Sequence, residues 1–265
     1  MTISVASTEY LDLQKKINSL QASWMEKTSS VIFEPAIQEI SYRNDIPLIA
    51  QTNLKIDENQ YLSFIKELAE LLNEQHSKLN NQMNSVLNLL NTELATVWIN
   101  QALSLNHLYF NQFAKDFDLE EWIPFFLAEQ ALRPYLKNLS IQYKENYSNQ
   151  SVEFFGCPSC GEPVRLGRIK DEGQKILHCP RCHADWHEKR LKCSHCGNED
   201  HETLSYLTVE EDSTNQIHVC KECNGYVKLI DDREALEKLD PTMLDLTTIH
   251  LDYIAQQKGY GVSKE

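Results

Sequence analysis

The chain has 265 residues with 39 acidic and 25 basic side chains, a formal net charge of −14 with histidine neutral. That length supports one large or two modest domains with a real hydrophobic core. The acidic balance argues against nucleic acid as a partner, because such affinity comes largely from Lys and Arg neutralising phosphates.

The opening run MTISVASTEYLDLQKK is polar and charged. It holds no apolar stretch suited to a signal peptide or a membrane span, so a cytoplasmic chain without membrane insertion is expected. None of the eight glycines precedes Gly156, and six lie between Gly156 and Gly225. A long glycine-free run suits helices, since glycine costs roughly 1 kcal/mol relative to alanine inside one. The glycine-dotted part suits tight turns.

Tyr61, Ile65, Leu68 and Leu72 recur at helical steps with Lys66, Glu67, Glu70 and Glu74 between them, which predicts an amphipathic helix. A second, more deeply buried helix is predicted from near Met83, carrying Val86, Leu87, Leu90, Leu94, Val97, Trp98 and Leu105. Asp118 with Glu121 resembles a capping box opening a third helix that runs past Phe126 with a kink at Pro134. The aromatic series Tyr109, Phe110, Phe113, Phe117, Trp122, Phe125 and Phe126 offers either a partner-binding patch or core, and core is the expectation for rings at helical spacing. Helical pattern fades by about Asn146, and the polar run YKENYSNQS over 143–151 is expected to be a linker. After the cysteines, a helical tail is predicted with its main helix after Pro241 and a stop at Gly259.

All eight cysteines lie between Cys157 and Cys223, in four Cys-x-x-Cys pairs: Cys157 and Cys160, Cys179 and Cys182, Cys193 and Cys196, Cys220 and Cys223. In a reducing compartment such a cluster points to metal and not to disulfides. Each half of the series matches the pattern of a four-thiolate site. Two intervening residues let the backbone turn so that both sulfurs grip one ion, and the residue after the second cysteine must then tolerate positive φ. Gly161 and Gly197 do so directly, Asn224 with Gly225 substitutes, and His183 is of a type enriched there. Spacing favours two tandem ribbons joined by HADWHEKRLK, with an interleaved cross-brace as the alternative. It leaves zinc and iron both open.

His178, His183, His187, His195, His201 and His218 crowd the region, but eight thiols already complete two sites, so the histidines are expected around the ligands or on the surface. Trp186 is expected to pack between ribbons, and Lys189 with Arg190 to form a solvated face. There is no Gly-rich phosphate loop and no nucleophile constellation, so no catalytic residues are assigned and the chain is not expected to be an enzyme.

The ordered motifs FFGCPSCGEPV, LHCPRCHADWHEKRLKCSHCG, HVCKECNGYVKLID and the tail LDYIAQQKGYG resemble the formate dehydrogenase accessory protein FdhE family, over about residues 152–261. The resemblance implies a helical domain attached to two rubredoxin-like modules, with iron the expected metal and the catalytic subunit of formate dehydrogenase the expected client. The eight cysteines carry over as metal ligands, and Trp186, His187 and Tyr226 as motif residues without an assigned role. Where the family often has an acidic residue just before the fourth pair, this chain has His218 and Val219.

The resulting expectation is an α+β chain: a helical domain over 1–150, two metal-binding knuckle modules over 151–230 (about 151–187 and 188–230), and a helical tail over 231–265. Its expected role is a maturation factor with two metal ions, iron or zinc, that are structural or redox-active. The rival readings are a rubredoxin-like electron carrier and a zinc-ribbon nucleic-acid binder, the latter disfavoured by charge.

Overall fold

The computed structural model describes residues 6–28, 33–35, 43–75, 77–147, 155–209, 212–231, 233–235 and 238–261. Its residues group into two compact units, one of Leu13–Glu34 and Leu54–Asn138, the other of Met1–Asp12, Pro35–Asn53 and Leu139–Glu265. Of the expected linker over 143–151, Lys144–Tyr147 form a short helix with Tyr147 buried, and 148–151 lie outside the described residues. Mixed helix and sheet is observed, with helices first and the cysteine-bearing sheet after them, as expected.

In chain order the first elements are α1 (Thr8–Thr28), β1 (Phe33–Pro35), β2 (Thr52–Leu54), α2 (Glu58–Gln75), α3 (Asn80–Leu89), α4 (Thr92–Leu103), α5 (His107–Asp116), α6 (Trp122–Gln142) and α7 (Lys144–Tyr147). The amphipathic pattern of α2 is realised: Tyr61, Ile65, Leu68 and Leu72 are all buried. Trp24 stacks on Phe64 at 4.5 Å between ring centroids and its indole N–H donates to Glu67 at 2.7 Å, which satisfies the polar end of a buried ring.

The long second helix of the sequence reading is two helices. Asn91 breaks it with extended backbone (φ −140°) and caps α4, its side chain accepting from the Leu94 amide at 2.9 Å. The apolar period runs on through Leu90 and masks this local competition, and Val97 is exposed.

Asp118 is not an N-cap. It sits at φ +52°, just past α5, and the amides of Asp118 and Leu119 return to the carbonyls of Lys115 (3.4 Å) and Ala114 (2.8 Å). That pair of bonds is a Schellman C-cap, with aspartate where glycine is usual. Pro134 lies inside α6. The aromatic series divides: Phe110 and Phe113 are buried against Trp98, whereas Phe117 and Trp122 are exposed. Phe125 and Phe126 are half-buried and, with Trp122, line a cavity of about 460 Å³.

The remaining elements are β3 (Leu166–Ile169), β4 (Lys175–His178), β5 (Asp185–Glu188), β6 (Leu204–Val209), β7 (Asp212–Cys220), β8 (Tyr226–Ile230), α8 (Pro241–Thr247) and α9 (Ile249–Gln257). The six strands form one sheet in the order β5-β4-β3-β8-β7-β6. Each half is an antiparallel meander. The halves join where β3 runs parallel to β8, with Leu166 opposite Lys228 and Arg168 opposite Ile230. At that seam a Cβ on Gly167 would come within 2.8 Å of the Leu229 side chain and 3.0 Å of the Ile176 carbonyl, so the close approach requires glycine.

The tail covers this sheet. Leu244, Leu251 and Ala255 pack against Leu166, Ile217, Val219 and Ile230 in one buried cluster. Pro241 takes the first helical position behind Asp240, whose carboxylate accepts from the Thr242 amide at 2.9 Å. The tail is two short helices meeting at Thr248, and it stops at Gly259 (φ +85°), as predicted.

Candidate metal centres

The four Cys-x-x-Cys pairs adopt one repeated backbone turn. The amide of each leading cysteine donates five residues on, Cys157 to Glu162, Cys179 to Ala184, Cys193 to Asn198 and Cys220 to Gly225, at 2.8–3.0 Å. The residue after each second cysteine has positive φ: Gly161 +77°, His183 +59°, Gly197 +74° and Asn224 +57°. These are the four positions predicted from sequence. His183 is held there by its ring, 2.9 Å from the Thr242 hydroxyl, which in turn donates to the Pro180 carbonyl.

The turns bring the thiols together in tandem. Cys157, Cys160, Cys179 and Cys182 form one group and Cys193, Cys196, Cys220 and Cys223 the other, with the sulfurs of each group within 4.8 Å of one another. Nearest pairs are Cys157 with Cys182 at 3.5 Å, Cys160 with Cys179 at 3.6 Å, Cys193 with Cys223 at 3.6 Å and Cys196 with Cys220 at 3.8 Å. A tetrahedral ion bonded to four sulfurs at about 2.3 Å would space them about 3.8 Å apart, so both groups fit a four-thiolate metal. Backbone amides of His195 and Gly225 donate to Cys193 and Cys223 Sγ at 3.4 and 3.3 Å, the kind of bond that spreads thiolate charge.

Charge makes a cation the natural occupant. Burial pushes the Cys157 and Cys160 thiols well above their ordinary value, while hydrogen bonds from the other three thiols outweigh burial at Cys179 and hold it well below. In the second group burial pushes Cys193 and Cys223 up, whereas Cys220 is lowered to about 7, its burial outweighed by the Cys223 amide and the Asn198 side chain. Four such groups ionise together only around a positive ion.

The two groups differ in their surroundings. In the first, all four cysteines are buried, and the amides of Leu48 and Ile49 donate to the Pro158 and Ser159 carbonyls at 2.7 and 2.9 Å, laying a backbone segment over the first knuckle. Arg181, 1% exposed, sits between Cys179 and Cys182 and donates to the Cys160 carbonyl at 3.4 Å. In the second, Cys193 and Cys220 are buried, but Cys196 and Cys223 are exposed.

A buried lysine network ties the two halves. Lys175, fully buried, lies 2.6 Å from Glu188 and 3.1 Å from the Lys192 carbonyl, and reaches Ser194 and His218 at 3.3 and 3.4 Å. Burial, then the nearby Lys175 charge, lowers His218 to about 4, and burial with Arg168 does the same to His178, so both rings are neutral at pH 7. Trp186 is buried and His187 exposed on β5. Tyr226 donates to Asp252 at 2.9 Å and packs against Gly261, whose amide bonds the Asn224 carbonyl at 2.7 Å. The tail end is thus anchored on the fourth knuckle.

Sequence reading missed Arg181, Lys175 and Lys228. The signal was available in part: a lysine inside the apolar strand YVKLI must be paired if it is buried.

The fold and site define a helical protein whose C-terminal sheet carries two four-cysteine knuckle sites able to hold metal. Residues 191–264 match the family model for the FdhE C-terminal domain. An FdhE homolog from Aquifex aeolicus is 29% identical over 211 residues, covering 78% of this chain and 70% of that protein. One from Stutzerimonas stutzeri is 38% identical over 114 residues, or 39% of this chain and 35% of that protein. The crystal structure of the FdhE protein from Pseudomonas aeruginosa superposes with a TM-score of 0.62 at 21% identity, covering 92% of this chain and 83% of that one, which shows the same fold. The resemblance to the FdhE family read from the cysteine motifs therefore holds in sequence and in architecture. Among the described residues no helix is long and apolar enough to cross a membrane.

Proposed function

We propose that this chain is a cytoplasmic accessory factor in formate dehydrogenase maturation that binds the catalytic subunit of that enzyme and is not itself an enzyme. Cys157, Cys160, Cys179 and Cys182 would hold one metal ion, and Cys193, Cys196, Cys220 and Cys223 a second. When bound, such an ion staples each ribbon and, if it is iron, adds a one-electron couple. The observation that carries the reading is the pair of thiol cages at metal spacing within a chain similar to FdhE homologs.

The chain's own groups account for the rest. Knuckle amides orient the Cys193 and Cys223 sulfurs, and Arg181 braces the first knuckle through the Cys160 carbonyl. The exposed edge of the second cage gives an electron-carrier role its one specific support, since a redox centre must lie near a partner to exchange electrons.

The test is co-purification of the tagged chain with the catalytic subunit of formate dehydrogenase from its own host, alongside formate dehydrogenase activity in a host lacking the gene. Specific capture and lost activity are expected. Unchanged activity without capture would sink the proposal. Metal content and visible spectrum after anaerobic purification decide the ion: bands that bleach on reduction mean iron, a colourless protein with two zinc ions a structural role.

A further inference from the structure

We propose that the two cages divide the work and that the second is the exchangeable one, its metal reached and released through the edge formed by Cys196 and Cys223. The first keeps its ion sealed in the fold. This rests on the reading of both clusters as metal sites.

The sequence gives the cages the same knuckles, so the difference comes from what surrounds them. Around the first, every cysteine is buried, the Pro47–Ile49 segment lies over the knuckle, and Arg181 is buried beside Cys160. Around the second, Cys196 and Cys223 reach the surface. Beside Cys223 opens a cavity of about 390 Å³ lined by His195, Asn224, Tyr226 and Arg165.

That space admits a small molecule or a partner's side chain to within reach of one ligand sulfur. Thiolates select a metal that favours sulfur ligands, so the class of incoming ligand that fits is a thiol. A thiol entering there would take the place of Cys223 Sγ as a ligand and hand its proton to Cys223, so that charge and ligand count would be unchanged.

The experiment uses the full-length protein loaded with zinc and mixed with the chromophoric chelator 4-(2-pyridylazo)resorcinol, with and without glutathione. Parallel samples are alkylated with iodoacetamide and read by peptide mass spectrometry. One zinc per chain is expected to leave about tenfold faster than the other, or more, because reactivity follows exposure and local opening. Glutathione should accelerate that phase alone, and Cys196 and Cys223 should be alkylated before any cysteine of the first cage. Cys223→Ser should retain one zinc, released at the slow rate.

Loss of both ions in a single phase, a fast phase unmoved by glutathione, or early alkylation of Cys157, Cys160, Cys179 or Cys182 would overturn the proposal and leave the metal reading standing. A folded protein that takes up no zinc or iron overturns both.

Discussion

Lys228 of β8 and Asp252 of α9 meet at 2.8 Å with the lysine side chain fully buried, and Asp245 of α8 lies 2.6 Å from the same ammonium. Arg165 closes the group at 2.8 Å from Asp245. This is a charged clasp holding the tail helices to the sheet. Truncating one partner leaves a buried charge uncompensated, which costs about 3–5 kcal/mol when no substitute remains. Lys228 keeps Asp252 when Asp245 is lost, so Asp245→Asn should cost about 2 kcal/mol, nearer the lower figures for charged hydrogen bonds. The double change with Asp252→Asn should cost more than the sum of the singles. Urea unfolding of the four proteins in one double-mutant cycle reads this directly, and additive effects would deny the clasp.

The same group sets an acid limit. Burial alone would raise the Asp245 carboxyl, but Arg165 and then Lys228 outweigh it and hold it below the usual carboxylate range. A depressed folded value means the carboxylate's contribution is fully present above the unfolded value, about 4. It is lost as pH falls from there through the folded value. Asp245→Asn should therefore flatten the stability–pH curve below about pH 4 and leave its shape above pH 5 unchanged. Parallel curves across the whole range would count against it.

Arg181 is buried beside the first cage. Arg181→Met should lower metal retention there, so that metal per chain falls from two toward one, while Arg181→Lys should keep part of it. Arg181 is buried and donates to the Cys160 carbonyl within the first knuckle, so its loss would loosen the turn that presents Cys160. Full metal content in a folded Arg181→Met protein would show that the arginine only packs.

Metal removal should release the knuckles first. The amides of Cys157, Cys179, Cys193 and Cys220 are each bonded to a carbonyl five residues on. Native-state hydrogen exchange at these four amides should accelerate on chelation before that of Leu229, inside the sheet. Exchange unchanged after verified metal loss would mean that the turns stand without an ion.

Asp118 at φ +52° closes α5 in a conformation that glycine adopts without strain. Asp118→Gly should raise stability by up to about 1 kcal/mol, seen as a higher melting temperature. A lower melting temperature would mean that the carboxylate itself contributes there.

The features read correctly from sequence are those decided within a few residues. Positive φ after each knuckle follows from the turn itself, so Gly161, His183, Gly197 and Asn224 are identifiable from the spacing alone. The tandem grouping follows from short spacers. What the sequence hid depends on distant partners or on competition between local signals. The parallel pairing of β3 with β8 joins strands far apart in the chain, and no periodicity announces it. Asn91 interrupts an apolar repeat that continues on both sides. Asp118 fits a cap at either helix end, and only the bonds from Asp118 and Leu119 back to α5 decide which. Lys175, Arg181 and Lys228 were not singled out, because the burial of a cation is fully legible only once the fold places its partners.

The seam between β3 and β8 also bears on synthesis. On a growing chain β3, β4 and β5 emerge first and can close their meander, but the outer side of β3 faces no neighbour until β8, the last strand, has been made. For that interval the nascent protein carries an open strand edge of the kind that templates unwanted pairing between chains. The first ribbon is thus vulnerable to aggregation while translation of the second is under way, and slowing the ribosome between β5 and β8 should lower the yield of native protein.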